Sequence, residues 1–160
     1  MNILRGYALT SLSALVLDVF QFTDKEGFFS RQDSQAQFNA KLQDVVAGRV
    51  DITDRVPGLD AGPMRPRTPP VIYFDNEHSR HYTILELVAD DAPGLLYRIS
   101  RVVSRHGLSV ELVQISTEGD KAIDVFHLKK GAEKLTDAEQ FALTEDLERA
   151  IEERTGSGGR

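Results

Sequence analysis

One stretch of the chain sets two carboxylates directly before a helix start: Asp90-Asp91-Ala92-Pro93-Gly94-Leu95-Leu96. The spacing of Leu95, Ile99, Val102 and Val103 predicts a helix over residues 94–106, with Gly107 at its end. A helix N-terminus leaves backbone N–H groups unpaired and carries roughly +0.5 of an elementary charge, so it attracts a carboxylate. Gly94 lets that backbone be approached closely. Asp90 and Asp91 can meet an ammonium group. A free amino acid offers both charges on one carbon, so the turn suits a zwitterion. The same residues also read as plain chain-turning chemistry, with Asp91 capping the helix and Pro93-Gly94 making the bend.

No other constellation competes with this turn. His78 and His81 flank a polar turn with two residues between them, but no third metal ligand accompanies them and they read as exposed turn histidines. His106 falls in the last turn of its helix, where a cation suits the dipole. Acidic residues between Glu145 and Glu153, with Arg149 and Arg154, read as a solvated helix face. No spaced Ser/His/Asp set is present among the four His, so no catalytic residue is assigned. Asp90 and Asp91 lack the Gly-rich phosphate cradle that would go with Mg²⁺, so neither a metal nor another cofactor is expected. With no Cys, disulfides, thiol catalysis and thiolate metal sites are excluded. The balance of 19 basic against 25 acidic residues, net −6, disfavours nucleic acid as a partner. Apolar runs fall short of the ~18 residues of a membrane span. The apolar stretch 7–17 lacks a small-residue cleavage site and runs into Asp18, so it reads as structure rather than a secretory signal. A soluble, cytoplasmic protein is expected.

The elements that must position the turn come from an internal repeat. Residues 2–21 overlay residues 108–127 without a gap, placing Asp18-Val19-Phe20 on Asp124-Val125-Phe126, Leu17 on Ile123, Leu9 on Ile115 and Thr10 on Ser116. Each segment reads as two β-branched and apolar strands around a short polar turn, at 11–14 in one and 118–120 in the other. A helix follows each hairpin. Residues 33–47 carry Phe38, Leu42, Val45 and Val46, stopped by Gly48. Residues 136–154 open on a Thr136…Glu139 capping box and carry Phe141, Leu143, Leu147, Ala150 and Ile151. A strand over 82–89 and the helix 94–106 precede the second hairpin and have no counterpart before the first.

Between the halves, residues 57–70 hold five of the six prolines and read as a semi-extended linker. Residues 71–75 form a further strand, joined by a polar turn to 82–89 as an antiparallel neighbour. That strand fills either the final slot of the second unit or closes the first. The expected architecture is α+β: a truncated strand-strand-helix unit over 1–56, the linker 57–70, a complete β-α-β-β-α unit with the extra strand over 71–154, and a flexible tail 155–160.

With that order in place, Asp91-Ala92-Pro93-Gly94-Leu95-Leu96 resembles the Asp-x-Pro-Gly-Leu-Leu turn of ACT domains, small ferredoxin-like modules that bind amino acids and regulate metabolic enzymes. The residues Val71-Ile-Tyr-Phe-Asp-Asn-Glu77, Tyr82-Thr-Ile-Leu-Glu-Leu and Pro93-Gly-Leu-Leu-Tyr-Arg-Ile99 are similar to the last ACT domain of bacterial bifunctional uridylyltransferase/uridylyl-removing enzymes, which modify the PII nitrogen-signalling protein. Leu17-Asp-Val-Phe20 and Ile123-Asp-Val-Phe126 resemble that family's paired strands. Position 92 is Ala where the family often carries Arg, and neither the nucleotidyltransferase nor the His-Asp phosphohydrolase signature of its catalytic parts is found.

The resemblance implies a ferredoxin-like βαββαβ sandwich, a regulatory role without catalysis, and a small amino acid, glutamine, as ligand. ACT domains often bind ligand where a turn faces a neighbour's strand, which adds Gln114 and Ser116 to Asp90, Asp91, Pro93, Gly94, Leu95 and Leu96. An exposed strand face explains those two equally well. The first half lacks the helix that would cover its sheet, so it is expected to dock on the second unit, on another copy or on a separate catalytic chain. A ligand-free assembly module is the alternative function.

Overall fold

The computed structural model describes residues 2–10, 16–24, 27–31, 33–50 and 68–152. Nine elements follow in order: β1 (Asn2–Thr10), β2 (Val16–Thr23), α1 (Ser34–Val46), β3 (Val71–Asp75), β4 (Thr83–Asp90), α2 (Leu95–Arg105), β5 (Ser109–Glu118), β6 (Lys121–Lys129) and α3 (Asp137–Glu152). The expected turn 11–14, most of the linker 57–70 and the tail 155–160 lie outside the described residues.

All six strands join one sheet in the order β2-β1-β5-β6-β4-β3, every pairing antiparallel. β4, α2, β5, β6 and α3 give the βαββα series. β3 pairs with β4 along its whole length, Val71 opposite Val88 through Asp75 opposite Ile84. It therefore fills the last strand position beside β4, not a place beside the first hairpin. The result is the α+β ferredoxin-like sandwich.

Alternation decides which side chains meet the helices. Leu85, Leu87 and Ala89 of β4 and Ala122, Phe126 and Leu128 of β6 are buried beneath α2 and α3. Buried Thr83 is satisfied on both sides: its hydroxyl donates to Asn76 Oδ1 at 2.6 Å and accepts the Leu135 N–H at 2.8 Å. On α2, Leu95, Ile99, Val102 and Val103 are all buried, as their spacing requires. On α3, Leu143, Leu147 and Ile151 are buried, whereas Phe141 is exposed. Two residues of helix separate Phe141 from Leu143 by about 200°, which puts it on the solvent side. Phe38, Leu42 and Val46 of α1 are exposed too, and Phe38 has the Phe29 ring edge-on at 5.4 Å.

The capping box at α3 forms as expected: the Thr136 N–H donates to Glu139 Oε2 at 2.9 Å, and the Glu139 N–H reaches Thr136 Oγ1 at 3.4 Å. Thr136→Ala should lower stability by about 1 kcal/mol in urea unfolding.

The hairpin repeat is real, with one correction to the gapless overlay. Phe20 lies opposite Gly6 and Phe126 opposite Val113; Asp18 lies opposite Ala8 and Asp124 opposite Ile115. Ala8, not Leu9, thus corresponds to Ile115. Both first strands carry a bulge at the matching place, between Ile3 and Arg5 and between Val110 and Leu112. Between matched strand ends, the chain from Thr10 to Val16 is one residue longer than that from Thr117 to Ala122. A slip of one residue exchanges the two faces of a strand, so the correction decides which residues face the helices. With it, β1 and β5 pair about a local pseudo-twofold through Tyr7 and Gln114.

Candidate functional site

Gly94 is the N-cap of α2, with φ 77° in the left-handed region where Gly alone sits without strain. No side chain caps the helix. Asp91 does not do so. Its backbone N–H instead donates to the Asp120 carbonyl at 2.8 Å, tying the turn to the β5–β6 hairpin, while the Leu95 N–H bonds the Ala92 carbonyl at 3.1 Å. The positive end of α2 is therefore free of a competing side-chain acceptor.

A cavity of about 650 Å³ opens at this helix start. Asp91, Pro93, Gly94, Leu95 and Leu96 line it, and so do Thr117 and Asp124 from the sheet and Ile3 from the first hairpin. Ile3 is held there by Thr117, whose hydroxyl donates to the Ile3 carbonyl at 3.0 Å. The cavity is thus walled by both halves of the repeat, and its size falls within the ~300–1,000 Å³ typical of small-ligand sites.

Asp124 sets the electrostatics. It is 2% exposed, and its Oδ1 has no hydrogen-bond partner. Burial, helped by the nearby negative charge of Asp91, pushes its carboxyl up to about 7, against a backbone hydrogen bond from Ser116. A buried acid with an unsatisfied oxygen and an uncapped helix N-terminus thus line one cavity, which offers a site for a cation and a site for an anion.

The turn residues expected from sequence converge, with one exception. Asp90 is opposite Lys121 in the β4–β6 ladder and accepts its ammonium at 2.5 Å, outside the cavity lining. It follows buried Ala89 on the strand, so alternation turns it to the other face. Gln114 and Ser116 likewise sit on the face away from α2, opposite Tyr7 and Arg5; β5 reaches the cavity through Ile115 and Thr117. Asp124 was legible as the acid between apolar Ala122 and Phe126 at alternate positions. Ile3 and Thr117 had no signal without the β1–β5 pairing. Gly94→Ala, which forces a side chain onto the left-handed N-cap, should cost about 1 kcal/mol or more in urea unfolding.

The ACT domain family model matches residues 83–140. The chain is 32% identical over 139 residues to the bifunctional uridylyltransferase/uridylyl-removing enzyme of Azospirillum brasilense, covering 80% of this chain and 14% of that protein. It is 31% identical to that of Novosphingobium aromaticivorans, over 96% of this chain and 17% of the relative. With the Streptomyces coelicolor enzyme, identity is 35% over 60% of this chain and 12% of the relative. The chain thus spans about a seventh of the length of these relatives. No solved structure matches. Among the described residues, no helix is long and apolar enough to cross a membrane. Residues 83–140, which supply all of the cavity lining but Ile3, are similar to ACT domains, and the chain is similar to part of the bifunctional uridylyltransferase/uridylyl-removing enzymes.

Proposed function

We propose that the chain is a regulatory amino-acid sensor, with the ligand held between the start of α2 and Asp124. Unpaired, buried Asp124 Oδ1 beside an uncapped helix N-terminus carries this reading. The ligand carboxylate takes the N–H groups of Gly94 and Leu96, and its ammonium takes Asp124, with Asp91 adding negative charge. Glutamine is the ligand that the uridylyltransferase resemblance implies, and PII uridylylation is the process it would report to. The role is regulatory rather than catalytic: binding across Ile3 and the α2 turn couples the ligand to the junction between the two halves.

Titration calorimetry with the common amino acids tests the reading, glutamine first. Only the ionised form of Asp124 holds an ammonium, and its carboxyl titrates near 7. Affinity should therefore rise about tenfold from pH 6 to pH 8. Asp124→Asn should weaken binding and flatten the pH dependence. Absence of heat with every amino acid would sink the sensor reading and leave an assembly module, which the uncovered first hairpin favours independently.

A further inference from the structure

Strand alternation gives the sheet two unlike faces. α2 and α3 pack on the side of Leu85, Phe126 and Ile115. Phe20 shares that side, its ring lying against Gly6 beside Ile115. So does Phe22, two residues on, and ring contacts from Phe22 through Phe29 to Phe38 tie α1 to the same side. Among the described residues no helix lies on the other face. There Tyr7, Leu9, Leu17, Val19, Val71 and Tyr73 are between 49% and 61% exposed. One cross-strand row of this face runs Val19, Tyr7, Gln114, Val125, Glu86, Tyr73, and the next Gln21, Arg5, Ser116, Ile123, Val88, Val71. With the row through Leu9 and Ile84, the face measures roughly 29 Å by 20 Å. A second copy laid on it would remove about 1,200 Å² in total, enough for a specific interface.

The charges on the face select how two copies meet. At the rim Asp75, Asp90 and Glu111 pair within the chain, with His78, Lys121 and Lys129. Exposed Arg5 and Glu86 stand on β1 and β4, three strand spacings or about 14 Å apart, too far to pair with each other. β1 and β4 are each second from an end of the sheet, so the two charges are equally far from the β5–β6 midline. Aligned sheets keep their strands within about 30°, which leaves a twofold axis either across the strands or along them. The first sets Glu86 against its own copy. The second exchanges β1 with β4 and keeps the rows, so Arg5 of one copy falls over Val88 of the other, one step along β4 from both Glu86 and Asp90. We propose that this face is the interface of a twofold dimer of the chain, sheet on sheet, with its axis along the strands between β5 and β6 and two symmetry-related Arg5–Glu86 pairs. One cation and one anion at mirrored positions are self-complementary, and an isologous contact satisfies both twice. The cavity opens on the helix side, so the inference stands apart from the sensor reading.

Sedimentation velocity of the full chain, from micromolar to submillimolar concentration, tests it. Wild type should dimerise reversibly. Arg5→Glu and Glu86→Arg each set like charges together twice, and each should raise the dimer dissociation constant at least tenfold. An equimolar mixture of the two variants should dimerise as wild type does, because every contact in the mixed pair joins opposite charges. Val19→Asp should abolish the dimer, with circular dichroism showing the fold kept. A chain monomeric throughout overturns the proposal and leaves the face to another segment or protein. A dimer that Arg5→Glu leaves intact overturns the axis along the strands. Variants that each dissociate the dimer but fail to rescue one another place the contact elsewhere and overturn it as well.

Discussion

Replacing Asp124 by Asn should stabilise the chain at pH 8 by up to about 4 kcal/mol and leave its stability near pH 3 unchanged. The folded state holds this carboxyl at about 7 against an ordinary 3.8, with burial the main cause and the charge of Asp91 a lesser one. A raised acid pKa favours the folded state only while the group is protonated in both states. That contribution is whole below pH 4 and is lost progressively until pH 7, after which it stays lost. The other shifted carboxyls move the opposite way: His78 and its neighbours hold Asp75 down, His106 holds Asp146 down, and the Thr136 cap holds Glu139 down. Their contributions are present at neutral pH and are lost as pH falls, from about 4.5 for Glu139 and from about 3.8 for Asp75 and Asp146, so they share only the lower edge of the Asp124 window and leave pH 5 to 8 to Asp124. Urea unfolding from pH 4 to 8 should therefore show wild type losing stability and the Asn variant level. A level wild-type profile would show that Asp124 has an unseen partner. An acid that weakens its own protein at neutral pH is the sort of group retained for binding, and saturating ligand should restore part of the loss at pH 8.

The sheet and both covering helices of the second half were legible because pattern and environment agree there. Leu95, Ile99, Val102 and Val103 share one helix face, and that face is the buried one. Sequence reasoning failed where tertiary pairing overrode a local pattern. The stripe Phe38, Leu42 and Val46 has the periodicity of a covered helix, but periodicity reports which residues would be buried and not whether a partner is present. The one-residue slip in the first strands was hidden because the connecting turns differ in length and Leu9 and Ile115 are interchangeable in hydropathy. Only the bulges at Leu4 and Glu111 fix the register. For the site, the helix start was readable as Gly94 after Pro93. Its anionic partner was not placed, because the alignment that singled out Asp124 said nothing of which face it took. Once that face is known, Asp90, Gln114 and Ser116 fall on the side of their strands away from the cavity and Thr117 on the side that lines it.

The same contrast between halves yields a second large expected effect. Leu143 of α3 is fully buried and Leu42 of α1 is 49% exposed, although both occupy the central stripe of the helix that follows their hairpin. Leu143→Ala removes methyl groups from a packed interface with α2 and leaves a cavity, so stability should fall by about 2–5 kcal/mol. Leu42→Ala removes the same atoms from a surface already in contact with water and should change stability by less than about 0.5 kcal/mol. Urea unfolding followed by circular dichroism separates the two directly. The prediction turns on what covers α1. A loss above about 2 kcal/mol for Leu42→Ala in the isolated chain would mean that α1 is covered in solution, against the exposure of its stripe.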